Sequence, residues 1–464
     1  MLKRLLILMR IVLLTTLSAG ASLAQNHYIV RLWSGDIHSV ANTAGMQVVA
    51  SFAGSANGLY VLNSPLSASS ATNALRGNPA VVGVEVDAPI ALPETVNTAV
   101  TFTPNVTSVG SWISPFVNRF QTDPSTGATV WSAYLNQPAS SIIHLPAVRS
   151  IATGRGTVAI LDTGIDHTHP AFGGSVVSGW DFVNNLSGGY ATPSDVPVNS
   201  NLSQSSSSIL DQNTAQILDD DSTLVLSQST TPILDDDSSL LLSQSTTPIL
   251  DNLYGAKPAS RFGHGTMVAG VVHLVAPTAR LLPVKVFNAN GGSSLSLIIE
   301  GIYYAVDHGA DVINMSFSLT QSSTELQTAI SYATAHNVIV VAAAGNQGGN
   351  VIVYPAGYHG VVGVGSTNNR DNRSIFSNYG EVADLAAPGE GVITTYPLGN
   401  WAAGWGTSFS SPMVAGTVAL LLQLNSRLDQ DDALQALSYA APVGQGLGAG
   451  RLDVHQALGH AGGR

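Results

Sequence analysis

No cysteine occurs anywhere in the 464 residues, so disulfides, thiol nucleophiles and cysteine-based metal centres are all excluded. Charge is scarce as well. Only 10% of residues are charged against 45% hydrophobic, which suits a folded chain with a large core and argues against wholesale disorder. Basic residues are in the minority: 17 Lys and Arg stand against 29 Asp and Glu, and the net charge of -12 gives no reason to expect nucleic acid as a partner. Beyond the amino terminus no run reads as long and apolar enough to cross a bilayer. At about 150 residues per domain, the length suggests roughly three units.

The amino terminus has Lys3 and Arg4, then an apolar stretch interrupted by Arg10, then small residues with Ser22 and Ala24 placed for cleavage. This reads as a secretory signal peptide over 1–24. A permanent anchor would want about 20 uninterrupted apolar residues. The mature protein is therefore expected outside the cell or in the periplasm, free of the membrane once the signal is cut.

Residues 25–92 read as a small α+β module. "HYIVRL", "MQVVASF", "GLYVLNSP" and "VVGVEVDAPIAL" are strand-like, with helical stretches near 36–44 and 66–76. That β-α-β-β-α-β order is a ferredoxin-like plan. Residues 93–130 carry Pro, Thr, Ser and Asn without a period and are expected to be a linker or processing segment. From about 140 the texture changes. "TVAILD", "ARLLPVKVF", "ADVINMSF", "NVIVVAAAG" and "GVVGVGS" are short, almost wholly apolar runs separated by helical stretches at 295–308 and 323–336. Strands without alternation are buried on both faces, which predicts a parallel sheet covered by helices. Ligands of such sheets bind beyond the carboxyl ends of the strands.

An insert at 201–256 interrupts this pattern with an eight-residue repeat. Ile209, Ile217, Val225, Ile233, Leu241 and Ile249 are each followed by Leu, and eight Asp with no Lys, Arg or Glu give the stretch most of the chain's negative charge. A fixed register of short strand and polar turn predicts a β-rich ribbon or solenoid. The glycines of calcium-binding nonapeptide rolls are missing, so solvated turns are the plainer expectation for the Asp clusters.

Four stretches carry candidate chemistry. "TVAILDTGIDHTHP" places Asp162 at the end of a buried strand, and "RFGHGTMVAGVV" places His264 between glycines at the start of an apolar helix. "NVIVVAAAGNQGG" leaves Asn346 in a post-strand loop, where its amide could donate to an oxyanion. "GTSFSSPMVAG" packs three serines ahead of a helix. Taken singly, each has an ordinary structural explanation: turn former, helix cap, loop amide, helix start. Jointly, an Asp, a His, an Asn and a Ser at strand ends and helix starts of one parallel sheet fill every role that acyl transfer needs. Asp166, His167 and His169 could be imagined as a metal cluster, although a polar turn is the simpler account.

The motifs "AILDTGID", "GHGTMVAG", "VINMS", "AAAGN" and "GTSFSSPMVAG", in that order, resemble those of the subtilisin-like serine proteases, and the resemblance runs from about 131 to "GAGRLDVHQAL". It implies a three-layer α/β fold with a helix-covered parallel sheet over 131–464, preceded by an inhibitory propeptide over 25–92. It makes Asp162 the orienting carboxylate, His264 the general base, Ser408 the nucleophile and Asn346 the oxyanion donor. It further implies that Ser316, Phe317 and Ser318 pair with an extended polypeptide substrate. Ala342, Ala343, Ala344 and Gly345 would wall the pocket for the residue before the scissile bond, with Gly291 to Leu295 along the other side. No acidic residue stands in these segments, so apolar or broad specificity is expected. Expected partners are polypeptide substrates and the chain's own propeptide, with a monomeric enzyme. No cofactor is needed for the chemistry, and calcium is not indicated, because only a short loop follows the His264 helix. Met267 and Ser318 stand where the resemblance favours His and Gly. A catalytically dead adhesion protein on the same scaffold is the competing expectation.

Overall fold

The computed structural model describes residues 26–92, 116, 119–191, 223–226 and 261–461. The expected signal peptide, most of the expected linker and most of the octad insert lie outside the described residues. The chain divides into two compact units, with the break between Ala88 and Pro89.

The first unit comprises β1 (Asn26–Leu32), α1 (Ile37–Thr43), β2 (Gln47–Ser51), β3 (Leu59–Ser64), α2 (Ala68–Arg76) and β4 (Val81–Val86). Its sheet runs β2-β3-β1-β4 with all pairs antiparallel. Tyr28, Val30, Leu32 and Leu62 from the strands form a core with Val40, Ala71 and Leu75 from the helices, and Ile29, Leu59 and Val61 are buried as well. Both helices begin on side-chain caps, Asp36 and Ser67, which accept the first free backbone N–H groups. The stretch read as one strand over 81–92 is two. The residues after Val86 form β5 (Pro89–Ala91), which belongs to the second unit.

In the second unit β6 (Phe120–Thr122) and β7 (Thr129–Trp131) make a hairpin. The hairpin lies at the end of the stretch read as a linker or processing segment. The turn holds because Asp123 Oδ1 accepts Ser125 N–H at 2.8 Å and its carbonyl accepts Gly127 N–H at 2.8 Å. Val130 and Trp131 sit in the main core.

The central sheet has eight strands in the order β10 (Leu186–Gly188), β9 (Gly179–Asp181), β12 (Arg280–Lys285), β8 (Thr157–Asp162), β14 (Val312–Met315), β15 (Ile339–Ala343), β16 (Val362–Thr367) and β17 (Leu385–Pro388). All neighbouring pairs are parallel except the edge pair β9 and β10. The strand residues of β8, β14, β15, β16 and β17 are buried throughout, which is why their sequences are apolar without alternation. Helices α3 (His264–Val275) and α6 (Thr407–Leu424) pack together on one face; α4 (Leu295–Asp307) and α5 (Thr324–Ala335) pack on each other and on the sheet. Helix α6 is long and apolar enough to cross a membrane by composition, contrary to the sequence expectation, and its burial in the core accounts for that composition.

A second sheet, β11 (Thr223–Leu226), β19 (Asn400–Gly404) and β18 (Val392–Tyr396), runs directly into α6. Strand β11 is the one described piece of the octad insert. Strand β5 pairs antiparallel with β13 (Gly292–Ser294), matching Ile90 to Ser293, and Leu92 N–H donates to Gly291 C=O at 2.9 Å.

Candidate active site

Strand β8 is flanked by β12 on one side and β14 on the other, and the chain crosses to both. In open parallel sheets ligands bind beyond the carboxyl ends of the strands, near such a change of direction. Asp162 is the last residue of β8 and is wholly buried. One oxygen, Oδ1, accepts both the Thr163 N–H and a hydrogen bond from His264 Nδ1, each at 2.7 Å. A carboxylate at Nδ1 fixes the proton there and leaves Nε2 as the basic nitrogen. Asp162 and His264 stand 102 positions apart in the chain.

His264 opens α3. Gly265 N–H donates to Thr163 Oγ1 at 3.0 Å, and Thr266 Oγ1 accepts Asp166 N–H at 2.9 Å, so the helix start is bound to the turn that carries Asp162. The glycine at 265 is required by that approach: a Cβ there would fall 2.4 Å from the Gly164 carbonyl oxygen.

Ser408 lies in the first turn of α6, wholly buried, beside Phe409, whose ring meets the His264 ring edge-on at 6.0 Å. Its hydroxyl donates to the Ser316 carbonyl at 3.1 Å. The structure thus brings Ser408, Ser316 and the Asp162–His264 couple to one end of the sheet.

Asn346 follows β15. Its Oδ1 accepts the Thr407 N–H at 2.9 Å and the Thr407 hydroxyl at 2.8 Å, which assigns Nδ2 to the other side of the amide. Thr407 Oγ1 in turn accepts Gly345 N–H at 3.2 Å. Gly406, at φ 146 and ψ 159, has a backbone that L side chains rarely adopt, and a Cβ on it would sit 3.3 Å from Asn346 Nδ2. The sequence "GTS" therefore reads physically as a close-approach glycine, an amide-orienting threonine and the serine.

The expected substrate-binding residues are spread over two walls. Ser316, Phe317 and Ser318 follow β14, all buried, with Phe317 turned against Phe287 at 5.1 Å and Leu319 bridged to Tyr354. Ala342 and Ala343 end β15, and the Ala344 carbonyl accepts Asn378 Nδ2 at 2.8 Å, fixing the loop through Gly345. Gly291 and Leu295 flank β13, whose edge carries β5.

Asp166, His167 and His169 serve the turn. Asp166 accepts Thr168 N–H and hydroxyl on one oxygen and Leu398 N–H at 2.8 Å on the other. His169 Nδ1 accepts Ala171 N–H and Nε2 bonds the Asn400 carbonyl at 2.8 Å; burial holds its pKa below the ordinary value. The His167 ring stacks on Tyr190. Among the described residues no three His, Asp or Glu side chains are grouped to hold a metal ion. Sequence reasoning missed Thr163, Thr266 and Thr407, because each acquires its role from a partner that is adjacent only in space.

The subtilase family profile matches residues 154–459. Thermitase of Thermoactinomyces vulgaris is 33% identical over 290 residues, 60% of this chain and 79% of thermitase. Subtilisin DY of Bacillus licheniformis is 41% identical over 192 residues, 39% of this chain and 70% of that one. A solved cold-adapted subtilisin-like serine proteinase is 27% identical with a TM-score of 0.47, covering 66% of this chain and 90% of its own. With that family match over most of the chain, the protein belongs to the subtilase family and is a subtilisin-like serine endopeptidase acting on polypeptides.

Proposed function

We propose that this endopeptidase works through Asp162, His264, Ser408 and Asn346, and that it is made as a self-processing, exported zymogen. In this reading the Ser408 hydroxyl turns from the Ser316 carbonyl toward His264 Nε2, gives up its proton there and attacks the substrate carbonyl. The imidazolium so formed is steadied by the Asp162 carboxylate. Negative charge on the carbonyl oxygen is met by Asn346 Nδ2 and the Ser408 backbone N–H at the positive end of α6. His264 returns the proton to the leaving amine, and water reverses the sequence to release the acyl group from Ser408.

The observation that carries this reading is the 2.7 Å bond between His264 Nδ1 and Asp162 Oδ1, both buried, beside the first turn of the helix that holds Ser408. Support for the zymogen reading comes from β5. Residues 89–92 lie as an extended segment along the edge of β13, as strand addition of a peptide requires, and they follow the small first unit directly. The walls at Ala342–Gly345 and Ser316–Ser318 hold no acidic side chain, which supports apolar or broad specificity. An exported monomer needing no cofactor remains the reading of the leader and the chemistry.

Ser408→Ala should abolish both peptide hydrolysis and self-processing, with turnover falling on the order of 10⁶-fold, the size known for subtilisin. A purified Ser408→Ala protein that keeps wild-type turnover overturns the assignment. An organophosphonate that reacts with activated serine should label residue 408 in the wild type; absence of label would favour a catalytically dead binding protein.

A further inference from the structure

Pro412 lies inside helix α6. A proline at that place has no N–H to give the carbonyl four residues earlier, and its ring crowds that same carbonyl. The carbonyl belongs to Ser408, a wholly buried residue. A buried carbonyl deprived of its helix donor must find another or carry a penalty.

The donor comes from the end of β14. Ser316 Oγ lies 3.0 Å from the Ser408 carbonyl oxygen. A hydroxyl can donate once and accept twice. Here all three capacities are used: Ser316 Oγ donates to Ser408 O, accepts Asn314 Nδ2 at 2.9 Å, and meets Ser411 Oγ at 3.1 Å. Since its single proton goes to Ser408, Ser411 is the donor in the last contact. The Ser408 hydroxyl answers by donating to the Ser316 carbonyl at 3.1 Å. Asn314 lies in β14 and Ser316 just past its end, and both are wholly buried beside strand residues that are otherwise apolar. Buried polar groups need partners, and two of the three contacts of Ser316 Oγ come from α6.

We propose, on the reading that Ser408 is the nucleophile, that the Ser316 side chain is a positioning residue. Its hydroxyl replaces the helix donor that Pro412 removes and fixes the backbone of Ser408. The consequence is mechanical. Pro412 releases the nucleophile's carbonyl from its own helix, and Ser316 ties it to the segment expected to hold the substrate, so that nucleophile and substrate strand keep one register. This role is separate from backbone pairing with substrate, which a change of the Ser316 side chain leaves in place.

The test is a double-mutant cycle on the full-length enzyme, with kcat and KM measured on a chromogenic peptide and Ser408 counted by organophosphonate titration. Ser316→Ala should lower kcat about 10-fold with KM changed less than about twofold, since a misplaced nucleophile loses rate rather than ground-state binding. Pro412→Ala restores an N–H opposite the Ser408 carbonyl. In that background Ser316→Ala should cost less than about threefold. Equal costs in the two backgrounds, or a rise in KM in place of a fall in kcat, overturn the proposal. Should Ser316→Ala alone fail to fold, recovery of soluble, labelled protein when Pro412→Ala is added supports it, and failure in both backgrounds overturns it. An unlabelled wild type would overturn the nucleophile assignment and this proposal with it, whereas a labelled wild type with equal costs overturns the coupling alone.

Discussion

The two faces of the central sheet are covered by different kinds of helix. All twelve residues of α3 are buried, as are sixteen of the eighteen in α6. On α4 the buried residues number eight of thirteen, and on α5 five of twelve. The outer helices are amphipathic in the ordinary sense, with Ile298, Ile302 and Leu326 turned inward and Asp307 and Thr328 outward. The inner pair is buried nearly all round; His273, Ser410 and Thr417 are polar residues buried within it, and its first turns carry His264, Thr266, Thr407, Ser408 and Ser411. Each of these last five is bonded to a named partner on another element. Water exclusion is concentrated on one face, where the residues of the proposed site are tied to partners elsewhere in the chain. The other face supports the sheet.

The sharpest way to break that contrast is to change one carboxyl group on each side. Asp162→Asn keeps the shape of the β8 end but removes the charge proposed to steady the His264 imidazolium, so kcat should fall on the order of 10⁴-fold. Glu300→Gln, on α4, should leave kcat within about twofold. Steady-state hydrolysis of a small peptide reads both. A comparable loss in the two variants would mean that the outer face also takes part in the chemistry.

Much of the inner face was legible in the sequence because buried parallel strands announce themselves: "TVAILD" and "NVIVVAAAG" are apolar and β-branched without alternation, and Asp162 and Asn346 sit at or just after their ends. The order of motifs then assigned roles. What stayed hidden depends on distance along the chain. Thr407 reads as a helix-start residue until Asn346 is found 61 positions away on its hydroxyl. Ser316 reads as substrate-binding backbone until Ser408 appears 92 positions on. The hairpin at 120–131 was missed because its strands are three residues long and its stability comes from the Asp123 turn. Strands β9, β10 and β17 are likewise too short to show a period.

Protons offer a second way to sharpen the contrast, since each face holds an acid or base whose pKa burial displaces. On α3, burial pushes His273 from 6.5 down to about 4, opposed by the charge of Asp123, with Arg149 and His169 adding to the depression. The unfolded chain takes up that proton near 6.5 and the folded one only near 4, so this group's stability is full above about pH 6.5 and drains away as pH falls toward 4. On α4, burial raises Glu300 from 4.5 to about 7. Here the folded state holds the proton longer, so the contribution is full below about 4.5 and is lost as pH rises through 7. The two slopes oppose one another between about pH 4.5 and 6.5, at roughly 3 kcal/mol for His273 and about 2 kcal/mol for the partly exposed Glu300. Denaturant unfolding across pH 4–8, in a Ser408→Ala background to prevent self-digestion, should show the net of the two slopes, which the single variants separate. His273→Leu should flatten the acid limb, and Glu300→Gln should raise stability above pH 7 relative to its parent. Curves parallel to the parent would refute the assignments.

The smallest expected effect belongs to the region on neither face. The octad insert enters between Asp162 and His264, yet those residues meet at 2.7 Å, and loop-closure cost grows only logarithmically with length. The described part of the insert, β11, pairs with β19, and β19 leads through Trp405, Gly406 and Thr407 to Ser408. That pairing could make the insert a support for the nucleophile. Other bonds already hold the same hairpin. Leu398 N–H reaches Asp166, the Asn400 carbonyl bonds His169, and Gln137 both donates to and accepts from Ile393. The hairpin is thus anchored to the core at three points without β11. Deleting 201–256 should therefore leave kcat/KM on a small peptide within about threefold and the protein folded, because an edge strand adds little once its neighbour is fixed on the other side. A fall of a hundredfold or more would show that β11 holds β19 in place, and the insert would then have to be counted with the inner face as part of what positions Ser408.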